Sequence, residues 1–522
     1  MERRTEVLIV GGGATGVGIA RDLALRGIPS LLMEKGDFAS GASGRNHGLL
    51  HSGGRYAVSD PEAAKGCIAE NRILRKIAPH CIEETEGLFV SLPEDGLDFQ
   101  SQFVAACERA GIPASLLSRD EALELEPGLN PSLLGAVKVP DGAVNPFSLM
   151  MANVRDAQNH GATFLLHTQP LSLLLNRDTI KGARVKDLIT GEEFDILASY
   201  VVNATGAWTN HFLKLAGLGL NMAFSKGSML VTNQRIAHRV INRCRKPSDG
   251  DILVPNETIS ILGTTSVRAE TPENFEVTPS EVSLLIREGS KLVPQLRDTR
   301  FIRAYAGIRP LLESEQGDDR GISREFSLID HGERDGLHNL VTITGGKFVT
   351  YRLMAQRTSD LICQKMGVKT SCSTHVNPLP GSSESSRLRD RLQRFSVDRG
   401  ETICDCELIK REEVEGFLMV GKVKHFLDIL HRSRLAKGTC QGGFCVYRLL
   451  GVLHDLKMVK GDSNRTLKDF LDERWKGIRP VLWGVSIREE ELIESIYKGI
   501  FNLTPTLPSP LEGEGKGGGR TD

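Results

Sequence analysis

The first strong pattern in the chain is a change of hydrophobic period. Val7, Leu8, Ile9 and Val10 form an uninterrupted apolar run, as expected of a parallel strand covered on both faces. Glycines follow, and then Ile19, Leu23 and Leu25 recur at helical spacing until Gly27 stops the helix. "SLLMEK" returns to a strand pattern. These elements predict a right-handed βαβ unit.

Further along, residues 80–200 alternate short strands with helices such as "DFQSQFVAACERAG", and "YVVNATGAWTN" predicts a strand that meets a glycine turn. "DILVPNETISILGTTS" (251–266) predicts a β-hairpin with Asn256 and Glu257 near its turn. "LVTITGGKFVTYRLMAQRTSDLICQKMG" (340–367) predicts strand, double glycine, helix. "NPLPGSSESSRLRDR" (377–391) has linker composition, and 504–522 is low in complexity and expected to be disordered. The expected division is a large domain over 1–370, with nucleotide-binding segments at 5–80, 200–215 and 340–365 and substrate-domain segments between them. A linker over 371–400 leads to a Cys-bearing domain at 401–455, a helical segment at 456–503 and the tail.

The chain has 522 residues, 40% hydrophobic and 25% charged, which suits a large soluble core without disulfide staples. A net charge of −1 gives no global field for nucleic acid, so an anionic ligand must meet a local cationic cluster. "MERRTE" runs straight into the first strand, so no leader is expected. No apolar run approaches the ~18–20 residues of a membrane span. Among the ten cysteines, Cys67, Cys81, Cys107, Cys244, Cys363 and Cys372 are scattered and expected to pack as small hydrophobes.

Gly11, Gly13 and Gly16 form G-x-G-x-x-G between strand and helix. The spacing permits the tight turn, the approach of a pyrophosphate, and close helix–strand packing. The helix start at Ala14 and Thr15 offers N–H groups to that anion. Glu34, 18 residues after Gly16, is placed to accept hydrogen bonds from a ribose. These residues do not separate FAD from NAD. Gly206, Gly345 and Gly346, far downstream, favour the larger flavin. "SGASGRNHGLLHSGGRYAV" (40–58) carries Ser43, Gly44, Arg45, His47, His51, Arg55 and Tyr56, and reads either as a solvated basic loop or as a wall of the flavin and substrate site. With Arg309, Arg324 and Lys347 it would suit a phosphorylated substrate. His51, whose imidazole ordinarily titrates near neutrality, is a candidate base for a substrate hydroxyl, and an Arg beside the reacting carbon could stabilise alkoxide charge.

Cys404 and Cys406 form C-x-C, and Cys440 and Cys445 form C-x4-C after 33 intervening residues. C-x-C is unusual for structural zinc. Four thiolates suit a [2Fe–2S] cluster, and Gly438, Gly442 and Gly443 free backbone N–H groups for sulfur. On the residues alone, iron–sulfur, zinc and reduced thiols all stay open.

"IVGGGATGVGIARDLALRG", "GASGRNHGLLHSGGRYAV", "INRCRKPSDGDILVP", "AYAGIRPL", "TITGGKFVTYRLMA", "GTCQGGFC" and "ERWKGIRP" resemble, in order from residue 5 to about 500, the family of FAD-containing catalytic subunits of anaerobic glycerol-3-phosphate dehydrogenases. The resemblance implies an α/β, doubly wound, glycine-oxidase-like FAD fold with a β-rich substrate domain and a small helical four-cysteine domain. It implies oxidation of sn-glycerol 3-phosphate to dihydroxyacetone phosphate, with Arg55, Tyr56, Arg309, Arg324 and Lys347 around the substrate. Of these, Arg309 is expected nearest the reacting carbon. The cysteine spacing resembles the [2Fe–2S] module of bacterioferritin-associated ferredoxin, which favours the cluster over zinc. Partner subunits, one of them an iron–sulfur membrane anchor, would pass electrons to a quinone. The chain would then lie peripherally on the cytoplasmic face of the inner membrane. Rival readings are an FAD-dependent amino-acid or 2-hydroxy-acid oxidoreductase, which needs one Arg for a carboxylate, and a non-catalytic electron-carrier subunit.

Overall fold

The computed structural model describes residues 2–312, 325–383, 392–393, 396, 400–419, 423, 425–459 and 461–503. Arg324 and the tail 504–522 fall outside them.

The chain opens with strand β1 (Arg3–Val10), helix α1 (Ala14–Leu25) and strand β2 (Ser30–Met33). β1 pairs in parallel with β2 on one side and with Glu193–Asn203 on the other. The latter pairs in parallel with Leu340–Gly345. Segments nearly 200 and 340 residues from the N-terminus thus join the nucleotide-binding sheet. The apolar run of β1 serves two cores. Val7 and Ile9 face α1 and the helices Pro146–Asn159 and Tyr351–Met366, while Leu8 and Val10 face the layer built on Thr168–Asn203. Gly18 lets α1 approach Tyr351–Met366, since a Cβ there would lie 2.9 Å from that of Ala355.

A second, nine-stranded sheet forms the other half of the large domain. Its longest pair, Met222–Thr232 against Phe301–Leu312, runs antiparallel with Ser225 opposite Arg309 and Gly227 opposite Gly307. The hairpin Ile252–Asn256 and Ile259–Gly263 belongs to this sheet.

Residues 402–503 share one core. A short hairpin, Thr402–Cys404 with Ile409–Lys410, packs with helices including Arg411–Met419, Phe426–Arg432, Cys445–Asp455, Ser463–Ile478 and Val485–Phe501. The segment leading to it is pinned at first: Arg21, paired to Asp156 at 2.6 Å, donates to the carbonyls of Thr374 and Asn377. The Cys-bearing domain then docks through buried charge. Arg432 reaches Asp37 at 2.6 Å with both side chains 1% exposed, His167 meets Asp428 at 3.0 Å, and Arg434 donates to Asn256 at 3.0 Å. Among the described residues no helix is long and apolar enough to cross a membrane.

Candidate active site

A cavity of about 960 Å³ runs between the two sheets. One end is the glycine turn. Gly11 has φ +115°, and a Cβ there would lie 2.5 Å from the carbonyl oxygen of Ala204; one on Gly16 would lie 2.0 Å from that of Gly11. No side chain fits at either position, so backbone forms the floor. The Glu34 carboxylate accepts from the N–H groups of Gly12 (2.6 Å) and Gly36 (2.8 Å). Burial pushes its carboxyl up against the opposing pull of these two donors. Glu34 therefore also props the glycine turn, beyond the ribose contact expected of it. Ser43 Oγ accepts from Ala14 N at 2.9 Å, which ties the 40–48 loop to the start of α1. Gly44, Gly206, Gly345 and Gly346 need no side chain for three reasons. A Cβ on Gly44 would meet the Ala39 carbonyl at 2.4 Å, one on Gly346 would meet Met354 at 2.5 Å, and Gly206 and Gly345 have φ of +57° and +80°. Thr15 and Ala14 also line the cavity.

Arg55, Tyr56, His47, His51, Arg309 and Lys347 all line the same cavity, drawn from three distant stretches of sequence. The His51 loop is fixed from behind. Asn71 donates to the carbonyls of Leu50 and His51, and buried Asp141 accepts from Ser52 N at 2.7 Å. Lys347 Nζ stands 4.5 Å over the Tyr56 ring, and the Tyr56 and His51 rings are 5.5 Å apart. Burial, with Arg309 and Arg55 adding to it, lowers His47 to about 3, and its Nδ1 accepts from Leu49 N. Burial, then His47, Arg55 and Lys347, likewise hold His51 well below the ordinary imidazole range. It is therefore neutral at physiological pH, and the expected titration near neutrality is corrected.

Arg309 is clamped flat. Its guanidinium donates to Thr264 Oγ1 at 2.5 Å, Thr265 O at 3.3 Å and Ser225 Oγ at 3.4 Å. It lies over Gly227, where a Cβ would be 2.3 Å from Nη2. Gly307 admits the Arg45 carbonyl, which a Cβ would meet at 2.2 Å, and Tyr305 donates to Asn46 O at 2.8 Å. Tyr305, Gly307 and Arg309 thus alternate along Phe301–Leu312, and Gly307 and Arg309 line the cavity. The sequence reading passed over Gly227, Gly307, Asp141 and Asn71. A glycine inside a strand was the available signal for the first two.

Arg55 donates through Nη2 to Asp251 (3.0 Å) and to the Ser248 carbonyl (3.2 Å), while its buried Nη1 has no hydrogen-bond partner among the described residues.

In the C-terminal domain the thiols stand in two hydrogen-bonded couples, Cys404 with Cys445 and Cys406 with Cys440. The Cys406 contact, against the opposing effect of burial, and the N–H groups of Gly442, Phe444 and Gly443 bring Cys440 down to about 6. The Cys445 contact lowers Cys404 as well. Among the described residues no three His, Cys, Asp or Glu side chains close around a single metal position. This domain also backs the 40–48 loop: Lys437 Nζ lies 3.6 Å over the Phe147 ring, and a Cβ on Gly44 would lie 3.0 Å from that ring.

The family described as FAD dependent oxidoreductase matches residues 6–361. The chain is 46% identical to one of the subunits of the anaerobic glycerol-3-phosphate dehydrogenase of Escherichia coli over 526 aligned residues, covering 96% of this chain and 97% of that one. Its fold matches the glycerol-3-phosphate dehydrogenase from Bacillus halodurans complexed with FAD (TM-score 0.64, 21% identity, 92% of this chain, 96% of that one). It also matches glycine oxidase from Geobacillus kaustophilus (TM-score 0.57, 24% identity, 72% and 98%). A glycine turn that only backbone can line, a large cavity beside it and near full-length similarity place the chain in the FAD-dependent oxidoreductase family, within its anaerobic glycerol-3-phosphate dehydrogenase branch.

Proposed function

We propose that the chain oxidises glycerol 3-phosphate to dihydroxyacetone phosphate. The observation that carries this reading is the Arg55 guanidinium, with one buried nitrogen that has no partner among the described residues, in a cavity it shares with Arg309 and Lys347. A buried donor without an acceptor is costly, and a phosphate oxygen would satisfy it. Arg55 and Lys347 hold the phosphate. Arg309, planar and fixed by its hydroxyl and carbonyl contacts, faces the secondary hydroxyl and stabilises negative charge on its oxygen. His51, neutral and held by the Asn71 contact, has a free lone pair for the hydroxyl proton. The incoming phosphate offsets the fields of Arg55 and Lys347 and so raises its basicity. Bound FAD, held by the glycine turn, Glu34 and the α1 start, supplies the acceptor for the hydride leaving carbon.

The four cysteines hold a [2Fe–2S] cluster in this reading. Two thiol couples suit two irons, each taking two thiolates, whereas zinc needs all four sulfurs around one point. The N–H groups on Cys440 favour the thiolate. Electrons then leave through partner subunits, including an iron–sulfur membrane anchor, to a quinone, with the chain peripheral on the cytoplasmic face of the inner membrane. The Escherichia coli relative is named as one subunit of a larger enzyme, which supports such an assembly.

Dye-linked rates with glycerol 3-phosphate against glycine and 2-hydroxyglutarate test the substrate, and a preference for either acid overturns it. Iron and sulfide analysis after anaerobic reconstitution tests the cluster, and stoichiometric zinc without iron overturns that part.

A further inference from the structure

The loop Arg245–Asp251 reaches the cavity from the second sheet, between the strands Val240–Arg243 and Ile252–Asn256. Its last residue, Asp251, has a side chain that is 0% exposed. Both carboxylate oxygens are committed. Oδ2 accepts from Arg55 Nη2 at 3.0 Å and from Ser248 N at 2.6 Å; Oδ1 accepts from Arg245 Nη2 at 2.8 Å and Nε at 3.1 Å. One carboxylate therefore stands between two guanidiniums, and Arg245 also reaches Glu288 Oε2 at 3.5 Å. The clamp takes Nη2 of Arg55, which leaves Nη1 buried with no partner among the described residues. Pro247, in the same loop, lines the cavity beside Arg55.

We propose that Asp251 is the positioning residue of the phosphate subsite: it fixes the plane of Arg55 so that Nη1 meets a phosphate oxygen. The inference rests on the glycerol 3-phosphate reading above. A free Arg side chain has about 2 kcal/mol of rotamer entropy to lose on binding. A guanidinium already locked by a buried charged hydrogen bond has lost it before the substrate arrives. Without the Asp251 charge, Arg55 is loosened and its own charge must be desolvated again with each substrate. Among the described residues that line the cavity Arg55 is present and Asp251 is not, so loss of Asp251 acts on binding more than on the chemical step.

The test compares Asp251→Asn with the parent in anaerobic dye-linked kinetics, with flavin content and the inhibition constant for inorganic phosphate measured on the same preparations. The expected result is a KM for glycerol 3-phosphate raised about tenfold or more, a parallel rise in the phosphate inhibition constant, kcat within about twofold, and full flavin. An unchanged KM and phosphate constant, or a loss of kcat with KM unmoved, overturns the proposal. A role confined to shaping the loop would lower flavin content and kcat together, and that result overturns it too. If Asp251→Asn does not yield folded protein, Asp251→Glu carries the test. It keeps the charge but shifts it by one methylene, and is expected to raise KM while retaining kcat; an unchanged KM overturns the proposal. Should the parent itself fail to oxidise glycerol 3-phosphate, the underlying reading falls, a result visible before any variant is compared.

Discussion

Substituting Gly227 with Ala tests whether the placement of Arg309 governs the reaction. Gly227 lies in the strand Met222–Thr232, diagonal to Arg309 on the paired strand. Its φ is outside the left-handed region, so Ala adds no backbone strain. The added methyl would stand 2.3 Å from Nη2, 2.8 Å from Cζ and 3.0 Å from Nη1. Ordinary contact begins near 3.5 Å, so the guanidinium must rise by about 1 Å. Rising breaks its bonds to Thr264 Oγ1 and Thr265 O, which fix its plane. A displacement of this size at a reacting centre costs about 10²-fold in rate, or about 2.7 kcal/mol of transition-state stabilisation. The assay is anaerobic steady-state reduction of a dye by glycerol 3-phosphate, alongside flavin stoichiometry and Tm. The account expects kcat/KM to fall about a hundredfold while flavin content and Tm stay close to the parent's, because only the flexible end of Arg309 yields. A kcat/KM within threefold of the parent, with flavin bound, refutes the reasoning.

Other expectations follow from the same geometry. His47 is lowered by burial from 6.5 to about 3, so below the unfolded value the unfolded chain binds a proton that the folded chain refuses. Stability therefore falls as pH drops from about 6.5 towards 3, and His47→Gln should flatten part of that slope in thermal melts; an unchanged slope contradicts the assignment. His51 is lowered too, so in the free enzyme kcat/KM should show no imidazole limb near pH 6.5. His51→Ala should alter the pH–rate profile, and an identical profile removes it as the base. Arg432→Met would leave Asp37 buried without its partner, at a cost of about 3–5 kcal/mol. The C-terminal domain should then melt in its own transition by calorimetry, and a single unshifted transition would show that the pair does not hold the docking.

The nucleotide half was legible because its constraints are local. A glycine turn, the strand before it and the acid after it lie within 30 residues, and each leaves a mark in composition. The hairpin at Ile252–Gly263 and the double-glycine turn before Tyr351–Met366 were legible for the same reason. The cationic cluster was not. Arg55, Arg309 and Lys347 converge only because strands from opposite ends of the domain enclose one cavity, and each alone looks like a surface charge. Family resemblance, not spacing, joined them. What supports them stayed hidden. Gly227 and Gly307 read as weak points in strands until the side chain and backbone lying over them are seen. Asp251 reads as a turn residue until its two arginines are found. The pairing of Cys404 with Cys445 and of Cys406 with Cys440 likewise crosses the order in which the sequence presents them.

The central claim is that this cavity binds FAD and glycerol 3-phosphate together so that one reduces the other. Anaerobic titration of the purified chain with glycerol 3-phosphate, followed in the visible spectrum, tests it most directly. The account predicts stoichiometric bleaching of the flavin band, with product appearing in step. A flavin that stays oxidised with excess substrate, in a preparation carrying one FAD per chain, would contradict it.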